Sequence, residues 1–214
     1  MANEGAGRPG RPPGQQGQAL LDTARDAFLE HGFTETTMRL IASRAGVSKS
    51  SLYREHPSKD ALYVAVVSDW TARGRNAMQP HLDTLVSAPD LRRGLVEFCT
   101  VLRAAVLSPT VARMRTLVAA QSDRFPDVAR GYWESSWEAN IAALARALAT
   151  LVDAGRMVVD DPQVCAEQLV WLTVGGPVTE QTLCGTREGD HPSQDREDDR
   201  VEEAVMTFAS RFVV

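Results

Sequence analysis

From residue 18 onward, apolar residues recur at helical rather than alternating spacing, and that periodicity predicts an all-α chain. Leu20, Leu21, Ala24, Ala27, Phe28 and Leu29 line one face of a first helix, which stops at His31-Gly32 because glycine readily ends a helix. Thr36 or Thr37 can cap a second helix with Leu40, Ile41 and Ala45 on one side, and Gly46 then lets the chain turn sharply. Ser48 caps a short third helix, Lys49–Glu55, closed by Pro57. Ser58 caps a fourth, which carries Leu62, Val64, Ala65, Val66, Val67 and Trp70. Further on, Pro89, Pro109, Pro126 and Pro162 each precede an amphipathic run, as suits a residue tolerated in a first helical turn. These runs predict helices over residues 90–107, 110–122, 127–153, 163–183 and 200–212. Gly175-Gly176-Pro177 predicts a kink or break in the 163–183 helix, and the charged stretch 186–199 reads as a mobile loop. The chain shows no sustained period-two run and no internal repeat.

Residues 1–17 are rich in Gly, Pro and Gln and cannot bury enough surface to order themselves, so they predict a flexible, basic N-terminal arm. The remainder divides into a small helical unit, residues 18–60, and a larger one, residues 61–214. Of the 214 residues 43% are hydrophobic, enough for a packed core, while no apolar run approaches the roughly 18 residues of a membrane span. The chain opens without a basic segment followed by an apolar one, so export is not expected and a cytoplasmic protein without a membrane partner is. Net charge is −5, which argues against a protein that coats nucleic acid over its whole surface. The distribution is more telling: residues 1–60 hold 8 Lys+Arg against 7 Asp+Glu, the rest 15 against 21, and both lysines, Lys49 and Lys59, lie in the first segment. A weakly cationic module on an acidic body suits a local contact with DNA. Cys99, Cys165 and Cys184 form no CxxC or Cys/His pair and read as buried free thiols, so no metal or other cofactor is expected. His31, His56, His81 and His191 accompany no GxSxG, HExxH or phosphate-loop signature, and an enzyme is not expected either.

Two short helices joined by a brief Gly-containing turn make a helix-turn-helix, whose second helix enters the major groove of DNA. Residues 37–55 fit that description. On the short third helix Lys49, Ser50, Ser51, Tyr53 and Arg54 can all donate hydrogen bonds, while Val47 and Leu52 are spaced to face inward. So polar a helix makes poor core; a solvated surface helix is the other reading of its composition.

Around this element the chain resembles the DNA-binding domain of tetracycline-repressor (TetR) regulators over some 45 residues, 24–67. The resemblance is carried by Phe28, Gly32-Phe33, Thr36-Thr37, Ile41-Ala42, Ala45-Gly46-Val47-Ser48, Leu52-Tyr53 and Pro57-Ser58-Lys59. It implies that Thr37, Tyr53 and Lys59 contact phosphates and that Arg39, Lys49, Ser50 and Ser51 face the groove. The helix N-termini at Thr37, Ser48 and Ser58 add oriented backbone N–H groups. The chain departs from the family where an aromatic or His and then Phe usually follow: here stand Glu55 and His56. Glu55 opposes phosphate binding unless paired with Arg54 or Arg44. In the arm, Arg8-Pro9-Gly10-Arg11-Pro12-Pro13 is similar to the Arg-Gly-Arg-Pro core of AT-hooks, which implies a minor-groove contact by Arg8 and Arg11.

Within the larger unit, Arg124-Phe125-Pro126-Asp127-Val128-Ala129, followed by an aromatic pair, is similar to a motif of one TetR subgroup. Such regulators pair their last two long helices into a four-helix dimer interface, here residues 162–183 and 200–212, where Ala166, Gly175 and Gly176 would permit close approach; intramolecular core is the alternative. Candidate effector contacts are Trp70, Phe98, Met114, Tyr132, Trp133, Trp137 and Trp171, with Arg103, Gln121 and Gln168 as polar anchors. Their aromatic character favours an apolar or aromatic small molecule. The resemblance thus implies a ligand-responsive repressor that binds a palindromic double-stranded operator as a homodimer and is released by such an effector. A regulator controlled by a protein partner, or constitutive, is the alternative.

Overall fold

A computed structural model describes residues 13–185 and 194–214. Its elements are α1 (Pro13–Glu35), α2 (Met38–Ala45), α3 (Lys49–Glu55), α4 (Lys59–Gly74), α5 (Gln79–Ser87), α6 (Leu91–Leu107), α7 (Pro109–Ala120), α8 (Pro126–Trp133), a π-helical turn (Glu134–Glu138), α9 (Ala139–Asp153), α10 (Pro162–Cys184) and α11 (Gln194–Phe212). Contacts divide the chain into two units, Met1–Asp69 and Trp70–Val214, with the division inside α4 rather than at the expected residue 60.

In the first unit α1 starts at Pro13, inside the stretch read as a flexible arm, because proline suits a first helical turn. It is interrupted where expected: Gly32 has φ 72° and ψ 174°, a conformation costly for any side chain. The core gathers Leu20, Ala24, Phe28, Met38, Ile41, Leu52, Leu62 and Val66 around an aromatic trio. Phe28 and Phe33 stack at 5.9 Å, and Tyr63 meets both edge-on at 5.8 and 5.3 Å. Burial pushes the Tyr63 hydroxyl up to about 12.

The second unit packs α10 against α6, α7, α9 and α11, with α5 against α6 and α9. Leu95, Phe98, Leu144, Leu148, Leu151, Leu169, Val174 and Phe208 are among its buried members. Helix α5 was not expected, since a nine-residue element with Pro80 in its first turn and only Leu82 and Leu85 buried carries little periodicity. The 127–153 run forms α8, the π turn and α9 in succession. Helix α11 begins at Gln194, six residues before the expected start, because its first seven residues include no apolar one to reveal it. An isolated antiparallel bridge joins Met157 to Val213. No single helix among the described residues is long and apolar enough to cross a membrane.

Cations repeatedly serve helix C-terminal carbonyls, which lack intrahelical partners and carry the negative end of the helix dipole. Arg156 donates to the carbonyls of Val86, in the last turn of α5, and of Ala88, its C-cap, at 3.3 and 2.6 Å. Arg115, buried within α7, donates to Val106 O at the end of α6 (3.2 Å) and to Gln181 and Thr182 of α10. Of the kink or break expected at Gly175-Gly176-Pro177, a break does not occur: α10 runs through with Pro177 inside it. Pro177 has no N–H to offer the carbonyl four residues back, and Arg103 Nη1 donates to that carbonyl, Thr173 O, at 3.2 Å.

Among the described glycines, Gly94 of α6 has the least room: an added Cβ would lie 2.7 Å from the Ala88 Cβ. Gly94→Ala is therefore expected to destabilise by roughly 1–3 kcal/mol through overpacking, against the roughly 1 kcal/mol that alanine gains in an open helix. Urea unfolding would decide: a variant more stable than the wild type contradicts the contact.

Candidate functional site

The three short helices of the first unit are set by local chemistry. Thr36 is wholly buried and donates its hydroxyl to Ala27 O (3.1 Å) and Gly32 O (2.7 Å), tying the α1–α2 link to α1. Its neighbour Thr37 is the cap, accepting the Leu40 N–H at 3.1 Å. Gly46, at φ 67° and ψ 27°, closes α2 in the left-handed region. Ser48 then accepts the Ser51 N–H at 3.0 Å and opens α3, and Ser58 accepts from Ala61 at 3.0 Å before α4. The pieces amount to a helix-turn-helix whose second member, α3, is held by one buried side chain, Leu52.

Around that anchor α3 exposes donors. Lys49, Ser50, Tyr53 and Arg54 are exposed, as are Thr37, Arg39 and Ser48 on the preceding cap and helix. Ser48 donates to the Ser51 hydroxyl at 2.9 Å and also meets the Ser50 hydroxyl at 2.9 Å. These three hydroxyls thus form one cluster at the start of α3. Tyr53 is about half exposed.

Lys59, expected at a phosphate, is engaged within the fold. Its ammonium donates to Phe33 O (2.7 Å) and Thr34 O (3.0 Å) and sits 4.5 Å above the Phe33 ring. Two of its three N–H groups are used, which leaves one for an outside acceptor. A second arrangement that the sequence reading missed joins α1 to α2: Arg44 pairs with Glu30 at 2.5 Å and meets His31 at 3.0 Å. Arg44 therefore does not neutralise Glu55. Oppositely charged residues at 30 and 44 are the sequence signal, legible only once the two helices are known to touch. Arg8 and Arg11 lie outside the described residues.

His56, at the end of α3, is partly buried, and that burial holds its pKa below the usual 6.5, with Glu55 opposing. The unfolded chain then takes up a proton that folded His56 resists, so this contribution to stability is present above pH 6.5 and is lost as pH falls below it. Urea midpoints of the wild type should fall on acidification through that window more than those of His56→Gln. Equal pH dependence would remove His56 from the account.

In the second unit the expected effector contacts scatter. Phe98 and Met114 are buried core residues, Tyr132 is buried, and Arg103 serves Thr173 O. Gln121 is the C-cap of α7, Gln168 is exposed, and Trp70 stands at the start of the unit within α4. Three tryptophans come together in a ladder: Trp133 stacks on Trp137 at 6.1 Å and 22°, and Trp137 on Trp171 at 5.1 Å and 13°. Ala166, expected to permit close approach of another helix, is fully buried within the unit; Gly175 and Gly176 are not.

Comparison with known proteins accords with this geometry. Residues 20–66 match the model of bacterial regulatory proteins of the tetR family, and residues 93–213 that of the AefR-like transcriptional repressor C-terminal domain. The HTH-type transcriptional regulator RutR of Escherichia coli (strain K12) is 43% identical over 61 residues, 28% of this chain and only 29% of RutR. A TetR-family transcriptional regulator from Mesorhizobium loti has the same fold, with a TM-score of 0.88 and 23% identity over 96% of this chain and 100% of that one. The flavonoid-responsive regulator FrrA aligns with a TM-score of 0.69 and 26% identity, over 94% of this chain and 98% of FrrA. A helix-turn-helix with exposed donors, joined to a helical domain matched over more than half of the chain, places the protein: it belongs to the TetR family of helix-turn-helix transcriptional regulators, which are not enzymes.

Proposed function

We propose that the protein is a cytoplasmic repressor that binds a partly palindromic operator as a homodimer and lets go when a small aromatic or lipophilic molecule enters the second unit. The observation that carries the DNA-reading half is α3, whose single apolar anchor, Leu52, leaves Lys49, Ser50, Tyr53 and Arg54 facing outward. Thr37, Ser48 and Ser58, each capping a helix, present backbone N–H groups of the kind that hold phosphates. Lys59 adds its remaining N–H to that set. One such helix reads too few base pairs to be specific, so two-fold pairing and inverted half-sites follow. An aromatic effector accords with FrrA being flavonoid-responsive.

Selection from random duplexes tests the reading. The purified protein should enrich an inverted repeat with half-sites about one helical turn, ~34 Å, apart, and retention should fall steeply with added salt. Enrichment of no common sequence would overturn it. A thermal-shift screen with planar aromatic compounds extends the test, since a ligand of the native state raises its stability. Compounds that stabilise the protein without displacing the selected duplex would favour a regulator not governed by such molecules.

A further inference from the structure

Along α10, Val164, Gln168, Trp171, Leu172, Gly175, Gly176, Thr179 and Leu183 share one face by helical spacing. None is charged, and Glu167 and Glu180 flank the stripe. Its apolar members stand in the open: Trp171 is 40%, Leu172 50% and Leu183 78% exposed. The stripe does not end at the edge of α10. Trp171 stacks on Trp137 of the π turn, and Trp137 on Trp133 of α8, itself 41% exposed. The Trp133 indole N–H donates to Glu138 at 2.6 Å, which fixes that ring. Beside it lies an open groove of about 490 Å³ bounded by Pro126, Ala129, Arg130 and Trp133. The wide turn thus falls between the two outer tryptophans of an exposed apolar surface, and π turns gather at functional sites.

We infer that this tryptophan ladder and the π turn are part of the surface on which a second copy of the chain docks. The inference rests on the dimer proposed above and extends it to elements beyond α10 and α11. Two observations favour a second copy. The α10 stripe runs for about 28 Å at 1.5 Å per residue and is about 10 Å wide, so it offers roughly 300 Å² of the roughly 800 Å² per partner of a stable interface, the remainder falling to α11 and to surface continuous with α10. The ladder and groove supply continuous area beside it, and buried tryptophans commonly dominate interface energetics. A patch with projecting side chains (Leu172, Leu183) and a groove beside Trp133 also has what a two-fold contact requires, because knob and hole must lie on the same surface.

Three measurements test this. Sedimentation of the wild type, Leu172→Glu and Trp133→Ala compares dimer dissociation constants, with thermal unfolding at monomeric dilution checking that each variant is folded. Acrylamide quenching of Trp70→Phe/Trp171→Phe, in which Trp133 and Trp137 are the only tryptophans left, is followed against protein concentration. The expected result is that Leu172→Glu is monomeric, that Trp133→Ala weakens the dimer about tenfold or more, the range of an interfacial hot spot, and that quenching falls as the dimer forms. If Leu172→Glu is monomeric while Trp133→Ala dimerises like the wild type and quenching is independent of concentration, the ladder is outside the interface and the inference fails with the dimer intact. A wild type that is monomeric at every concentration overturns the dimer and the inference together.

Discussion

Leu52→Ala should abolish specific DNA binding while leaving the second unit folded. Helix α3 has seven residues, far below the length at which a helix holds together in water. Its place depends on Leu52, 1% exposed and its only buried residue. Truncating a buried leucine to alanine costs about 2–5 kcal/mol. Nothing else on α3 offsets that loss, so the docked, binding-competent form becomes the minor one and apparent affinity falls by the same factor. All four tryptophans lie at or beyond Trp70, so the fluorescence-detected transition reports the second unit and should be unchanged. Operator binding as tight as that of the wild type would show that α3 is held by something other than its anchor.

The second large effect concerns Arg103 and Pro177, which act as a pair. Arg103→Leu removes the donor that serves Thr173 O, at a site where Arg103 is only 6% exposed. A buried acceptor left without a partner costs about 1–3 kcal/mol. Pro177→Ala restores a backbone N–H four residues beyond Thr173 and thereby supplies an intrahelical donor to the same oxygen. In the Pro177→Ala background Arg103→Leu should therefore cost less, by on the order of 1 kcal/mol or more, a coupling that a double-mutant cycle isolates. Strictly additive stabilities would mean that Arg103 stabilises the unit without reference to the proline.

What could be read in advance follows how far apart the interacting residues lie in the chain. The caps at Thr37, Ser48 and Ser58, the turn at Gly46 and the inward Leu52 are local relations among neighbours, and the spacing exposes them. Lys59 illustrates the limit: its carbonyl acceptors at Phe33 and Thr34 lie 26 and 25 residues earlier, and only the packed aromatic trio brings them within reach. Arg103 and Thr173 are 70 residues apart, so α10 could be expected to break at Pro177 but not to be rescued there. The tryptophans at helical spacing were legible as a set. Their arrangement as a stacked ladder depended on the register of α10 against the π turn.

The central claim, that exposed donors on and just before α3 read bases while their neighbours grip the backbone, is tested most directly by four variants at the selected operator and at unrelated duplexes. Arg39→Ala and Lys49→Ala should each cost about 1–3 kcal/mol at the operator and relax discrimination at particular positions. Tyr53→Phe and Lys59→Ala should weaken all sequences about equally, and Lys59→Ala should lower the salt slope by about 1, because a phosphate contact carries no base information. If all four bind the operator like the wild type while remaining folded and dimeric, α3 is an ordinary solvated helix and the account is contradicted.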